Sequence, residues 1–433
     1  MKPKSMADSS WKKPEGFKII ALIFFGRTHQ VDILDCYLQQ NMKNNGGDLD
    51  AVHFIEHTTD DAALEWLHNL VNATEGYEAL QVAPHCKQNP HAQDCRYERI
   101  WEHFATDEST LYLKIDDDMA YIHEEAIPRL VEKRLAYPHP FAISANIINS
   151  PMTAWMHYHL GAVYPYLPER MPVGRGNKSP PTWKPSELPI HPDDSEYQHF
   201  EFGPTPDSAL INSAIASDED LWKTFDPAPF SGHRWLPLTQ NTTSLLSTPM
   251  SRITADPWGM GVHHWALAAQ QHMSLLQNIE NNTLHKYWMT AVPPLGDGLF
   301  NMQYTRYNLN FVCVWGRDVR AGAGIHKDTK TGLMTSTLFD DEKNITADMP
   351  RAQGREMMID TQALVAHMHF HDQEVGIQMT DMLDRWRAFV NDRVCAPARQ
   401  KGPPGLQGGL GWTEKNNGTG WWKCPWVVAD APF

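Results

Sequence analysis

The chain has 433 residues, 42% of them hydrophobic and 21% charged, with 52 acidic against 37 basic side chains and a formal charge of −15. That length predicts two or three domains, or one large elaborated domain, and the ordinary globular composition excludes wholesale disorder, a collagen-like repeat and a coiled-coil rod. The negative balance repels a phosphate backbone, which excludes nucleic acid as the main partner.

Residues 1–15 are polar and aperiodic and predict a flexible leader. Phe17 to Phe25 is continuous, apolar and β-prone, the pattern of a strand buried on both faces of a parallel sheet, and Gly26-Arg27 closes it. Helical spacing follows over Val31 to Met42 and stops at Asn44-Asn45-Gly46-Gly47. Next come a short strand over Ala51 to Ile55, a helix over Ala62 to Val71, a strand over Ala79 to Val82 and a helix over Tyr97 to Phe104. Thr110 to Ile115 reads as a strand running into three aspartates. This alternation predicts an α/β fold with a doubly wound sheet and ligands at the carboxyl ends of its strands.

Residues 164–208 carry ten prolines and predict a long irregular insertion of the kind that serves as a lid or binding loop. Trp258 to Trp288 returns to helical spacing, Asn308 to Trp315 reads as a buried strand and Gly376 to Val390 as an amphipathic helix. The tail from residue 396, rich in glycine and tryptophan, is expected to lie irregularly against the body.

The apolar run Ile19 to Phe25 is too short for a membrane span and no small-residue cleavage site follows it, so the chain as written is expected to be cytoplasmic, with no membrane span. A native anchor missing from this sequence would place it in the secretory pathway and give meaning to the Asn-x-Ser/Thr sequons at Asn72, Asn177, Asn241, Asn281, Asn344 and Asn417. Six cysteines do not make a disulfide framework; free thiols are expected, with Cys86–Cys95 and the pair flanking the tail, Cys395 and Cys424, as the bridges left open.

Asp116-Asp117-Asp118 is the strongest chemical signal: three carboxylates after a buried strand repel one another unless a cation intervenes. Alternation at a strand end lets Asp116 and Asp118 face a common ion while Asp117 points elsewhere, and hard oxygen ligands suit Mg²⁺ or Mn²⁺. In His367-Met-His-Phe-His371, an extended backbone would put His367, His369 and His371 on one face. Arg96 and Arg99 lie off the apolar face of their helix, where they either reach a phosphate or are simply solvated. His263, His264 and His272 sit among Trp265, Leu275 and Leu276, the pattern of a packed helix rather than a zinc site, and no P-loop, GxSxG or HExxH motif occurs.

The run Tyr112-Leu-Lys-Ile-Asp-Asp-Asp-Met-Ala-Tyr-Ile122 resembles the DxD segment of the GT-A-fold glycosyltransferases, and the blocks Ser144 to Asn149, Phe339 to Glu342 and Val365 to Phe370 are similar to uncharacterised fungal glycosyltransferase-like proteins. The resemblance spans about residues 17–390 and implies a GT-A-like mixed sheet flanked by helices. It implies a glycosyltransferase of the hexosyltransferase type, with Mn²⁺ or Mg²⁺ as cofactor, a nucleotide-sugar donor, in particular a UDP-sugar, and an open acceptor. Residues 16–150 would form the nucleotide-sugar-binding half and residues 151–395 the acceptor-binding half of one catalytic domain. By the same resemblance Asp116, Asp118 and His367 hold the metal, while Gly26, Arg27, Thr28, Glu56, Arg96 and Asp117 contact the donor. Asp341 or Glu342 would be the general base of an inverting transfer, since a hydroxyl acceptor needs a carboxylate to take its proton. A metal-dependent phosphohydrolase and a non-catalytic sugar-binding protein on the same fold are the competing readings.

Overall fold

The computed structural model describes residues 13–82, 101, 103–105, 107–168, 182–191, 234–238, 245–246, 248–289, 298–322, 340–378, 380–397 and 401. Eleven strands are present among them: β1 Lys18–Phe25, β2 Ala51–Glu56, β3 Tyr77–Gln81, β4 Thr110–Asp116, β5 Met119–Ile122, β6 Ala142–Ile148, β7 Tyr166–Pro168, β8 Trp235–Pro237, β9 Leu299–Asn301, β10 Phe311–Trp315 and β11 Met357–His367. The longer helices are α1 Thr28–Asn41, α2 Asp61–Asn72, α3 Ala126–Ala136, α4 Pro151–His159, α5 Trp265–Glu280 and α6 Met382–Arg393.

A nine-stranded mixed sheet in the order β3-β2-β1-β4-β10-β6-β11-β5, with β9 also on β11, forms the centre, and β7 pairs with β8 in a separate ribbon. β3, β2, β1 and β4 run parallel to one another, as do β6 and β11; β10 is antiparallel to both β4 and β6, and β5 and β9 are antiparallel to β11. Parallel neighbours need crossovers, and α1 and α2 supply them between β1 and β2 and between β2 and β3. The fold is therefore the mixed α/β sheet flanked by helices that the sequence predicts. Ile19 to Phe25 are buried throughout, as a strand covered on both faces requires. The first turn signal also holds: Gly46 adopts φ +94, and a Cβ on Gly47 would overlap the Asn41 carbonyl.

Two helical segments differ from expectation. Trp258 to Trp288 contains α5 flanked by short turns at Met260–His263 and Leu284–Tyr287. Gly376 to Val390 breaks into Glu374–Gln378 and α6, because Thr380 Oγ1 donates to the Ile377 carbonyl and accepts from Met382 N–H, so a side chain takes over at the break. The expected helix over Tyr97 to Phe104 lies mostly outside the described residues, as do most of 164–208 and nearly all of the tail. Among the described residues no helix is long and apolar enough to cross a membrane.

The free-thiol expectation is corrected. Cys36 on α1 is bonded to Cys395 just beyond α6, with Cα atoms 4.8 Å apart across a sequence separation of 359. This excludes a Cys395–Cys424 bridge; Cys313 is free and buried, and Cys86, Cys95 and Cys424 lie outside the described residues. α1 packs on α6, which is what brings the two sulfurs together.

Candidate active site

The parallel register of β1 with β4 pairs Phe24 with Asp116, so the residues just beyond the two strands, Gly26-Arg27 and Asp117-Asp118, abut. Asp117 fills that gap. Its carboxylate accepts from the backbone N–H groups of Gly26 and Arg27, both at 2.8 Å, and from the Arg27 guanidinium. It ties the two strand ends together and faces away from the ion site.

Asp118 and Asp116 converge with a residue from the far side of the sheet. β11 is antiparallel to β5 with an irregularity between Ala366 and His367, and Met368 N–H donates to the Asp118 carbonyl at 2.9 Å. That bond seats His367 Nε2 3.2 Å from Asp118 Oδ2, and Arg27 Nη1 lies 3.2 Å from the same oxygen. One ligand atom each from Asp116, Asp118 and His367 fits within 4.8 Å of the others, and this is the only such metal-binding group among the described residues. Asp118 Oδ1 is buried and accepts no hydrogen bond among the described residues. An orphaned anionic oxygen beside a second carboxylate and an imidazole suits a divalent cation, so the residues present fit one.

Electrostatics follow from this crowding. Burial would raise the Asp118 carboxyl, but Arg27 and His367 outweigh it and hold the group well below the usual carboxylate range. Burial works against protonation of His367, yet Asp118 and then Asp116 raise it above the ordinary histidine value. His369 behaves oppositely: buried and near Arg27, it is lowered to about 3, and its Nε2 lies 2.7 Å from Gln30 Nε2. The strand ends at His367 and a 3-10 turn starts at His371, so the three histidines do not share the face that an extended backbone predicts.

The second acidic cluster lies on the other side of Asp116. Asp340 caps a short helical segment by accepting from Lys343 N–H at 2.9 Å, which turns Asp341 and Glu342 toward the sheet. Glu342 pairs with Arg306 and accepts from Leu309 N–H and Asn308 Nδ2 at 3.3 Å. Arg306 Nε also donates to Asp340 at 2.8 Å, and its guanidinium stacks 4.2 Å from the Trp258 ring centre. Burial raises Asp341, with Lys114 opposing and Asp116 adding to the shift; burial likewise raises Glu342 against Arg306. Lys114 bridges the clusters: it is buried, pairs with Asp116 and feels Asp341 and Glu342.

The other expected contacts are more dispersed. Thr28 opens α1, whose N-cap Arg27 makes no side-chain cap, so the first N–H groups of the helix, next to Arg27, receive none from that side chain. Glu56 ends β2, is buried, and has His68 Nε2 2.7 Å from Oε1. Arg96 and Arg99 lie outside the described residues. Sequence reasoning passed over Lys114, Asn310, which donates to Asp116 Oδ2 at 2.6 Å, and Arg306. Lys114 alone carried a readable signal, a lysine inside an otherwise apolar strand.

No family model and no curated protein matches the chain. Among solved structures, a mycobacterial protein aligns at 15% identity and TM-score 0.24, over 36% of this chain and 54% of that one. Glucosyl-3-phosphoglycerate synthase from Mycobacterium tuberculosis, in complex with Mn²⁺, UDP and glucosyl-3-phosphoglycerate, aligns at 14% identity and TM-score 0.25, over 36% of this chain and 57% of that one. The same enzyme with Mn²⁺, UDP and phosphoglyceric acid gives 15% identity and TM-score 0.24, over 35% and 55%. The chain thus spans a little over half the length of these structures, and overlaps at this level leave the site's own geometry to carry the function.

Proposed function

We propose that the protein is a metal-dependent glycosyltransferase that moves a sugar, a hexose by the DxD resemblance, from a nucleotide-sugar donor to a hydroxyl acceptor. The observation that carries the reading is the convergence of Asp116, Asp118 and His367 beyond the carboxyl ends of parallel strands, beside Arg27 and the start of α1. Open α/β sheets bind ligands at that end.

In this reading Asp116, Asp118 and His367 hold Mn²⁺ or Mg²⁺. The cation, when bound, offsets negative charge on a departing nucleotide diphosphate. The first N–H groups of α1 together with the permanently charged Arg27 attract the diphosphate, and Gly26 supplies a backbone N–H that holds Asp117. Asp117 is a positioning residue, since it fixes Arg27 and the Gly26 backbone. Glu56, buried at the end of β2 with His68 beside it, is the candidate contact for the nucleotide base.

Asp341 is the better placed of the two base candidates. Glu342 is engaged by Arg306, Asn308 and the Leu309 amide, whereas Asp341 lies within electrostatic range of Asp116 and Lys114. A carboxylate raised by burial is a stronger base than an exposed one, and Lys114 opposes the rise. A base of this kind takes the acceptor proton as the hydroxyl attacks and implies inversion at the transferred carbon.

Titration calorimetry with UDP tests the reading. Affinity should depend on Mn²⁺ and fall by about 100-fold or more in Asp118→Asn, since even the outer partners of metal ligands are worth about 10- to 100-fold. UDP binding that is equal with chelator, with Mn²⁺ and in the variant overturns the metal assignment. Release of UDP from a UDP-sugar without inorganic phosphate separates transfer from phosphohydrolysis.

A further inference from the structure

The bond between Cys36 and Cys395 bears on where this chain matures, and so do two surface asparagines. Disulfides persist in oxidising compartments and are rare where glutathione keeps thiols reduced. Cys36 is 2% exposed, so the sulfur pair is an internal part of the fold and not a surface accident. The same compartments that oxidise thiols in eukaryotic cells attach oligosaccharide to Asn-x-Ser/Thr.

Three sequons fall among the described residues, and the structure separates them. Asn72 is the last residue of α2 and is exposed, as is Ala73, while Thr74, which completes the motif, is 6% exposed, so it is the asparagine itself that differs from Asn344. Asn281 follows the last turn of α5 and is exposed, and Asn282 beside it adopts φ +56, which ends the helix there. Asn344 differs: it is 5% exposed, and Thr346 is fully buried, donating to the Glu342 carbonyl and accepting from Tyr307 N–H.

We propose that this chain matures in an oxidising, glycosylating compartment, forming the Cys36–Cys395 bridge and carrying N-linked oligosaccharide at Asn72 and Asn281, with Asn344 unmodified in the folded protein. The proposal is independent of the transferase reading and replaces the cytoplasmic expectation. In the bridging step each thiol gives up one proton and one electron, and the electrons reduce the disulfide of a dithiol–disulfide carrier. In the modification the asparagine amide nitrogen bonds to the anomeric carbon of a lipid-linked diphospho-oligosaccharide. The carbon–oxygen bond to the diphosphate breaks, the lipid diphosphate leaves, and an amide proton goes to a base of the transferring enzyme. A glycan on Asn72 or Asn281 projects into solvent; one on Asn344 would have to occupy the packed segment beside Tyr307.

Peptide mapping of the protein isolated from its source cells is the test. The sample is alkylated without reductant, then treated with peptide-N-glycosidase in heavy-oxygen water, which marks each formerly glycosylated asparagine as labelled aspartate. The expected result is label at Asn72 and Asn281, none at Asn344, and peptides of Cys36 and Cys395 joined until reductant is added. Unlabelled Asn72 and Asn281, or Cys36 and Cys395 alkylated in the unreduced protein, overturns the proposal. Label at only one asparagine overturns the assignment of the other, and label at Asn344 in folded protein overturns the burial argument. Asn72→Gln and Asn281→Gln should each remove one glycan-sized step from the mass of the protein.

Discussion

Strands β1 to β4 and strands β6 and β11 belong to one sheet, yet different forces hold them. β1 is a run of buried aliphatic and aromatic side chains, and its neighbours add Val52, Phe54, Ile55, Leu111, Leu113 and Ile115. β6 and β11, with α4 and α5 against them, bury Ser144, Asn146, Asn149, His157, Gln270, Gln271, His272, Asn278, Asp360 and Thr361. These polar groups are paired. Asn146 Nδ2 donates to the carbonyls of Tyr287 at 2.9 Å and Thr361 at 3.0 Å, while its Oδ1 lies 2.8 Å from His157 Nε2. Asn149, at φ +63, donates to the carbonyls of His367 and Met368 and to Gln373, so the network reaches the backbone that carries the metal-facing imidazole. An apolar sheet tolerates small shifts in packing; a hydrogen-bonded one fixes positions. The candidate site sits at the seam, with its aspartates on the first region and its histidine on the second.

The largest expected effect lies on that seam. Asp341→Asn should lower turnover by about 10²–10⁴ while leaving nucleotide-sugar affinity nearly unchanged, as loss of a general base does. Steady-state kinetics with the donor varied would check this, and unchanged turnover removes Asp341 from the mechanism. Within the second region, Asn146→Leu strands two carbonyls and His157, and should cost about 3 kcal/mol or more by urea unfolding. In the first region, Ile23→Val at a fully buried site should cost only about 1 kcal/mol. Equal costs for the two would break the contrast.

Acid should also separate the regions. His157 is lowered to about 3, and His264 and His272 to about 4, in each case by burial. The bonds agree with neutral rings: His272 Nε2 lies 2.9 Å from the Met368 carbonyl while Nδ1 accepts from Trp386 Nε1, and His264 Nδ1 accepts from Ala266 N–H. With folded values below the unfolded 6.5, the unfolded chain binds more protons as pH falls, so stability is lost from about pH 6.5 down to about 4. Each such group contributes about 1.4 kcal/mol per pH unit within that window. Urea midpoints measured at stepped pH would show the slope, and His157→Gln should flatten it. Strands β1 to β4 contribute only His53, half-buried and also lowered, and α1 beside them adds His29, lowered to about 4 by burial and then Arg27, so the first region has fewer such groups and a shallower slope.

The same difference explains what could be read without a structure. Periodicity reports burial when buried residues are apolar, so β1, α1, β2, α2, β3 and β4 were legible nearly to their ends. It weakens where polar residues are buried among apolar ones: Ser144 and Asn146 interrupt β6, Asp360 and Thr361 interrupt β11, and Thr153 and His157 are buried on α4. At the site the two aspartates and His367 were visible as residue types, but the irregularity after Ala366 that seats His367 was not. The tie from Asp117 to Gly26 and Arg27 depends on the register of two strands more than 80 residues apart, and no local pattern encodes that. Nor does any spacing pair Cys36 with Cys395, since pairing depends on α1 lying against α6.

That bond changes the connectivity of the molecule as well as its shape. Residues 36 to 395 form a covalent ring, and both flanks of the chain depart from one place, where the two Cα atoms are 4.8 Å apart. A single proteolytic cut anywhere in the ring, including the proline-rich insertion, opens it without freeing a piece; two cuts are needed to release one. A nicked sample would therefore keep its full mass until a reductant is added and then fall into two chains. In covalent terms residues 1–35, with β1 and the first turns of α1, and residues 396–433 are the two branches of the ring, so a cut in either branch releases a terminal piece with no reductant.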